Sequence, residues 1–92
     1  MYILKRKQVM RMSKRTKQYA KLLHKKLLSS DEMVRLLELD GWYEDPDNQQ
    51  EGSHKQMIHP TKKGKVTIPM KRKVLRKDTK DSILNQASLT WD

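Results

Sequence analysis

The chain has 92 residues, a formal net charge of +10 and no cysteine. A domain of this size buries only about three fifths of the surface that its unfolded chain exposes, which disfavours a deep cofactor pocket. Without cysteine the chain has no internal disulfide and no thiolate metal ligand. Because no run approaches about 18 apolar residues and the first residues lack the pattern of a secretory signal, we expect a cytoplasmic protein with no membrane-spanning segment, cofactor or bound metal.

The positive charge is unevenly distributed. Residues 1–28 hold ten Lys or Arg and no acidic residue, whereas residues 29–92 hold eleven of each and are neutral overall. Within the neutral part, residues 31–51 carry eight acidic residues against Arg35 alone, and residues 55–77 carry nine basic residues and no acidic one. Lysines that neutralise phosphates release counterions and strengthen binding to nucleic acid. We therefore expect residues 55–77 to contact phosphate, the alternative being a solvated hairpin face.

Residues 1–28 are predicted to be a basic extension that precedes a domain formed by residues 29–92. Residues 1 to about 12 show no clear apolar period, and we expect them to be disordered. From Ser13 to Leu28 apolar residues recur at spacings of three and four, which predicts a basic amphipathic helix. Such a helix could contact RNA or an anionic membrane, or it could be an extension read from an upstream start codon.

A helix is predicted at the start of the domain. Ser29-x-x-Glu32 is a capping box, with Ser30 as a rival cap one residue later, and Gly41 suits the position that follows a helix. The apolar face between them is predicted to consist of Met33, Val34, Leu36 and Leu37, with Leu39 as a further candidate.

Three strands and a second helix are predicted to follow. The strands begin at Trp42-Tyr43 and cover residues 53–58 and 65–68, because apolar alternation and turn residues bound each of them. Asp78 or Thr79 is predicted to cap the last helix, which would bury Ile83, Leu84 and Ala87. The sequence thus predicts an α+β fold with a three-stranded antiparallel sheet.

The second predicted strand carries the candidate catalytic residue. Alternation places His54 and Gln56 on one face of the strand and Lys55 on the other. Cleaving RNA without a metal requires a base, an acid and cations near the phosphate, and histidine exchanges protons near neutral pH. His54 is therefore the candidate acid or base, and the candidate phosphate contacts are Lys63, Lys65, Lys71, Arg72 and Lys73.

Several other residues have two interpretations. Gly52 and Ser53 allow the backbone to approach RNA closely, or they form a simple bulge. His59, before Pro60, is predicted to be structural or a weak RNA contact. Trp42 is predicted to lie in the core, with base stacking as the alternative.

Four groups of short motifs follow one another at a characteristic spacing. They are Leu37-Glu38-x-Asp40-Gly41-Trp42, Gly52-Ser53-His54, His59-Pro60-Thr61 with Gly64-x-Val66-Thr67-Ile68-Pro69, and Ser82-Ile83-Leu84-x-Gln86-Ala87. In this order the chain resembles the HicA-type messenger-RNA (mRNA) interferase toxins of bacterial and archaeal toxin–antitoxin pairs. The resemblance covers residues 29 to about 89.

The resemblance implies a small double-stranded-RNA-binding-like α-β-β-β-α sandwich, preceded in this chain by a basic, partly helical extension. It implies the toxin of a type II toxin–antitoxin system, a metal-independent endoribonuclease that cleaves mRNA with His54 as its single general acid/base. It also implies a hetero-oligomer with a HicB-type antitoxin that covers His54. Many relatives have a second histidine where this chain has Lys55, and their Ala-Gly-Leu is Ala87-Ser88-Leu89 here.

The alternative function is a non-catalytic RNA-binding module on the same fold. Such a module recognises duplex RNA by its shape and phosphates, and it needs a basic start to its last helix. Here Asp78 and Asp81 dilute the positive charge of Lys77 and Lys80. The sequence therefore favours the ribonuclease.

Overall fold

The structure is a computed structural model that describes residues 13–48 and 52–89. In chain order the elements are α1 (Lys14–His24), α2 (Ser30–Leu39), β1 (Tyr43–Glu44), a short 3-10 turn (Pro46–Asn48), β2 (His54–Ile58), β3 (Val66–Pro69) and α3 (Lys77–Gln86). The predicted α+β fold, with a helix, three antiparallel strands and a helix in sequence, is confirmed. The disorder expected of residues 1 to about 12 lies outside the described residues.

The three strands form one antiparallel sheet in the order β1-β2-β3. His54 of β2 pairs with Pro69 of β3, and Tyr43 of β1 pairs with Ile58 of β2. Met57, Val66 and Ile68 point into the core, and α2 and α3 both contact β3. Because successive side chains alternate between faces, the opposite face carries Tyr43, His54, Gln56, Ile58, Thr67 and Pro69. We call this the open face, since no described helix covers it.

Helix α2 forms the centre of the core. Its N-cap is Ser29, whose side chain accepts from the Glu32 backbone while the Glu32 carboxylate accepts from the Ser29 N–H, as the capping box predicts. Met33, Val34, Leu36 and Leu37 are buried, as predicted, whereas Leu39 is only partly buried. Gly41 ends this segment with a φ of +104°, and the Trp42 N–H donates to the carbonyl of Leu37 at 2.9 Å. This turn carries the chain from α2 into β1.

Helix α1 packs against α2. Leu22 is buried between them, and Leu28, in the connection to α2, is fully buried. The Arg15 guanidinium donates to the carbonyl of Glu38 at 3.4 Å. From the far end of the chain, the Lys80 ammonium donates to two carbonyls of the connection at 2.8 Å each. The described part of the basic extension therefore shares the core of the sheet and its two helices.

Helix α3 begins earlier than the sequence predicts. Its N-cap is Arg76, which makes no side-chain cap hydrogen bond, so the prediction of Asp78 or Thr79 as the cap is wrong. The physical reason is the preceding residue, because Leu75 is buried and its N–H donates to the carbonyl of Leu28 at 2.7 Å. That anchor fixes where the helix starts, and Asp78 falls in its first turn.

Candidate active site

His54 is the first residue of β2 and its side chain is exposed on the open face. Its Nδ1 atom lies 2.9 Å from the hydroxyl of Ser53. The carbonyl of Ser53 accepts from the Met70 N–H at 2.6 Å, which ties this end of β2 to the residue after β3. The Ser53 hydroxyl thus contacts the imidazole at Nδ1, and Nε2 makes no hydrogen bond to a described residue.

Three exposed cations, Lys71, Arg72 and Lys73, follow β3 and form what we call the basic loop. The loop begins at the His54 end of the sheet, because His54 pairs with Pro69, two residues before the loop. In the described part of the chain none of the three side chains pairs with a carboxylate. The same end of the sheet therefore carries the exposed imidazole and three exposed cations.

The buried serine Ser30 fixes the path of the basic loop. Its hydroxyl donates to the carbonyl of Pro69 at 2.6 Å and accepts from the Arg72 N–H at 3.0 Å. Its own N–H donates to the carbonyl of Arg72 at 3.0 Å. Between these anchors Lys71 adopts a φ of +62°, a conformation that costs a non-glycine residue about 1–2 kcal/mol. The first turn of α2 therefore holds the loop in a shape that it would not adopt alone.

The predicted phosphate contacts lie at two ends of the sheet. The basic loop is at the His54 end, whereas Lys63 and Lys65 lie in the β2–β3 hairpin at the Ile58 end. Lys65 pairs with the buried carboxylate of Asp45 at 2.8 Å. Hydrogen bonds from the Lys65 ammonium and then from the Asp47 N–H lower the pKa of Asp45. The structure thus groups Gly52, Ser53, His54 and the basic loop, and it separates the two hairpin lysines from them.

Gly52 precedes this group with a φ of +140°, a region that only glycine adopts readily. A Cβ atom there would meet no described atom within 4 Å. Lys55 projects from the core face of β2, opposite His54, in agreement with the predicted alternation.

Asp40 organises the other motif residues into a structural network. Its carboxylate accepts from the Trp42 indole at 3.1 Å, the Lys62 ammonium at 2.7 Å and the Tyr19 hydroxyl at 3.3 Å. Burial, and then the Asp40 charge and hydrogen bond, raise the pKa of Tyr19 from 10.0 to about 12. Trp42 is buried, as its core interpretation predicts.

His59 belongs to the same network through both ring nitrogens. Nδ1 accepts from the Thr61 and Lys62 N–H groups at 3.1 Å each, so Nε2 carries the proton and donates to the carbonyl of Asp40 at 2.8 Å. A Cβ atom at Gly41 would lie 2.9 Å from that Nε2. These contacts agree with the structural interpretation of His59. They also explain why position 41 is a glycine, since a side chain there would collide with the imidazole.

A family model described as the HicA toxin of bacterial toxin–antitoxin matches residues 30–89, more than half of the chain. The chain belongs to the HicA toxin family. No curated protein matches it at the threshold applied. The HicA match spans α2 through α3 and includes His54, the basic loop and the Asp40 network except Tyr19, which belongs to α1 and lies outside the match. Membership assigns this protein to the toxins of toxin–antitoxin pairs.

Two observations bear on other properties of this HicA toxin. Among the described residues, every helix is too short or too polar to cross a membrane. In the same part of the chain, no group of three His, Asp or Glu side chains is arranged to hold a metal ion.

Local sequence patterns did not reveal the placement of two residues near the candidate site. In the sequence, Ser30 is a rival N-cap one residue after Ser29. No neighbouring residue indicates that it bonds Pro69 and Arg72, which are 39 and 42 positions away. Tyr43 follows Trp42, and only the strand register shows that it occupies the open face while the tryptophan is buried.

Proposed function

We propose that this toxin is a metal-independent endoribonuclease that cleaves mRNA with His54 as its general acid/base. The observation that supports this most directly is the exposed imidazole of His54 at the end of the sheet where the basic loop begins. A ribonuclease needs a proton-transfer group and cations at one phosphate, and this end of the sheet supplies both. Both ring nitrogens of His59 are hydrogen-bonded within the Asp40 network. Of the two histidines in the family match, His54 is therefore the one that faces an open surface.

The chemistry assigns a role to each group. His54 Nε2 takes the proton from the attacking hydroxyl, of the ribose or of water, as its oxygen bonds to phosphorus. The bond from phosphorus to the 5′-oxygen then breaks, and the leaving oxygen gains a proton from the imidazolium or from water. The basic loop stabilises the negative charge on the phosphoryl oxygens, and the Ser53 hydroxyl holds the ring in position.

The proposal includes a partner of HicB type that covers His54. Such a protein would restrain the nuclease by blocking the open face and presenting acidic groups to the basic loop. We expect RNA binding to disappear in the saturated complex, as measured by fluorescence anisotropy. RNA binding that persists in that complex would contradict the occlusion model.

The test is cleavage of a labelled mRNA in EDTA by the parent chain, His54→Ala and His24→Ala. His24 is a matched control, because it is an exposed histidine on α1 outside the family match. We expect the parent and His24→Ala to cleave and His54→Ala to be inactive, with circular dichroism showing that all three are folded. Salt-sensitive binding by every variant, with cleavage by none, would instead support the non-catalytic RNA-binding module.

A further inference from the structure

In the part of the chain that the structure describes, the open face carries one exposed tyrosine or tryptophan. Among the described aromatic residues, Tyr19 bonds Asp40 and Trp42 is 2% exposed, whereas the side chain of Tyr43 is 48% exposed. The pairing of Glu44 with the buried Met57 fixes the faces of β1. Tyr43 therefore projects from the face that also carries His54.

We propose that Tyr43 stacks on a base of single-stranded RNA that lies across the open face, a few nucleotides from the phosphate at His54. The inference rests on the proposed function, because it extends the same substrate along the sheet. Base stacking on an exposed aromatic ring is how proteins commonly bind unpaired nucleotides, and each stacked base contributes substantially to affinity.

The distance along the sheet suits a short stretch of RNA. Tyr43 pairs with Ile58, four residues along β2 from His54, which corresponds to about 14 Å at about 3.4 Å per residue. Gln56 and Thr67 form a strand pair between the two ends, so polar side chains occupy the intervening surface. A strand that reaches Tyr43 therefore also passes over hydrogen-bonding groups.

Charge complementarity favours RNA as the occupant. The basic loop begins at one end of the sheet, and Lys63 lies in the hairpin at the other end, with no carboxylate partner among the described residues. Both ends can therefore contact phosphates while the ring of Tyr43 contacts a base. In a duplex the bases already stack on one another, so a ring on the protein surface gains contact only with an unpaired base.

The test measures equilibrium binding in a His54→Ala background, where RNA remains intact. The probe is a fluorescent single-stranded oligoribonucleotide, compared with a blunt duplex of the same sequence. We expect Tyr43→Ala to weaken binding of the single strand by about 5- to 100-fold and to leave duplex binding unchanged. Tyr43→Phe should retain the affinity, because the stacking ring remains.

Leu27→Ala is the matched control, because Leu27 is also an exposed large apolar residue, at 57%, but lies between α1 and α2. It should bind as the parent does. In the parent background, Tyr43→Ala should raise KM and leave kcat almost unchanged, since the contact is remote from the reacting phosphate.

The outcomes separate this inference from the proposed function. Loss of single-strand affinity in Tyr43→Ala supports the inference even if the parent chain cleaves no RNA, a result that would contradict only the nuclease. Unchanged affinity in Tyr43→Ala would overturn the inference and leave the open face as a surface for a protein partner. Equal losses for single strand and duplex, or a loss in Tyr43→Phe as large as in Tyr43→Ala, would overturn stacking. Failure of the parent chain to bind either RNA would overturn both proposals.

Discussion

At the scale of single residues, Ser30 links the core to the site. Its side chain is about 1% exposed, and its hydroxyl satisfies the Pro69 carbonyl and the Arg72 N–H. These bonds hold the backbone on both sides of Lys71. A buried serine therefore holds the backbone of the basic loop where it leaves β3.

Replacing this serine should affect both stability and RNA binding. Ser30→Ala removes the buried hydroxyl that bonds the Pro69 carbonyl and the Arg72 N–H, which should lower the free energy of unfolding by about 1–3 kcal/mol. It should also weaken RNA binding severalfold, because the basic loop loses its fixed shape. Urea unfolding followed by circular dichroism measures the first effect, and fluorescence anisotropy measures the second.

Ser13→Ala is the control for that pair of measurements. Ser13 caps α1 by accepting from the Thr16 N–H, so its loss should cost about 1 kcal/mol and leave RNA affinity unchanged. An RNA affinity that responds equally to both substitutions would contradict the positioning role of Ser30.

Tyr19 gives the protein a predictable response to alkaline pH. Its pKa is raised from 10.0 to about 12 in the folded state, by burial first and then by Asp40. From pH 10 upward the unfolded chain releases this proton while the folded chain keeps it, so the free energy of unfolding falls as pH rises to about 12. The contribution is complete below pH 10.

The measurement compares the parent chain with Tyr19→Phe by urea unfolding at pH 9 and pH 11. Other groups titrate alike in both proteins, so the parent should lose more stability over this interval than the variant. The interpretation fails if Tyr19→Phe loses as much stability as the parent.

At the scale of elements, α1 acts as a third helix of the core. Leu22 on α1 is 7% exposed, whereas Leu27 in the following connection is 57% exposed. We expect Leu22→Ala to lower the free energy of unfolding by about 2–4 kcal/mol, because it leaves a cavity. Leu27→Ala should change it by less than about 0.5 kcal/mol. Urea unfolding of the two variants checks this, and equal effects would show that α1 does not stabilise the domain.

The sequence predicted the elements well where the signal is local. The capping box of Ser29 and Glu32 and the alternation along β2 depend on residues within one turn or one strand, and the structure agrees with both. The start of α3 was predicted wrongly, because the anchor of Leu75 on Leu28 joins residues far apart in the chain. The shape of the basic loop is equally non-local, since Ser30 and Arg72 are 42 positions apart.

The candidate site also has one feature that a local pattern predicts and one that depends on residues far apart in the chain. Alternation was sufficient to place His54 and Gln56 on one face. No local pattern could show that the basic loop, rather than the hairpin lysines, lies at the His54 end of the sheet. That placement follows from the pairing of His54 with Pro69. Proximity in the sheet is a property of register, which depends on the whole hairpin.

At the scale of the whole molecule, paired and unpaired cations should differ in their contribution to RNA binding. Lys73 of the basic loop has no carboxylate partner among the described residues, whereas Lys77 at the start of α3 pairs with Asp81 at 3.3 Å. We expect Lys73→Ala to reduce the slope of log affinity against log salt by about 0.7, the value for one phosphate of single-stranded RNA. Lys77→Ala should leave the slope nearly unchanged. Titrations with a single-stranded oligoribonucleotide at several salt concentrations measure both, and a larger effect at Lys77 would indicate binding through α3.

The central claim is that the His54 imidazole transfers protons during RNA cleavage. The most direct test is the single-turnover cleavage rate of His54→Ala in EDTA, measured with and without added imidazole. His54 is exposed on the open face, so free imidazole can reach the position that the side chain leaves. We predict that the variant is inactive alone and that imidazole restores part of the parental rate. Cleavage by His54→Ala at the parental rate without imidazole would contradict the account.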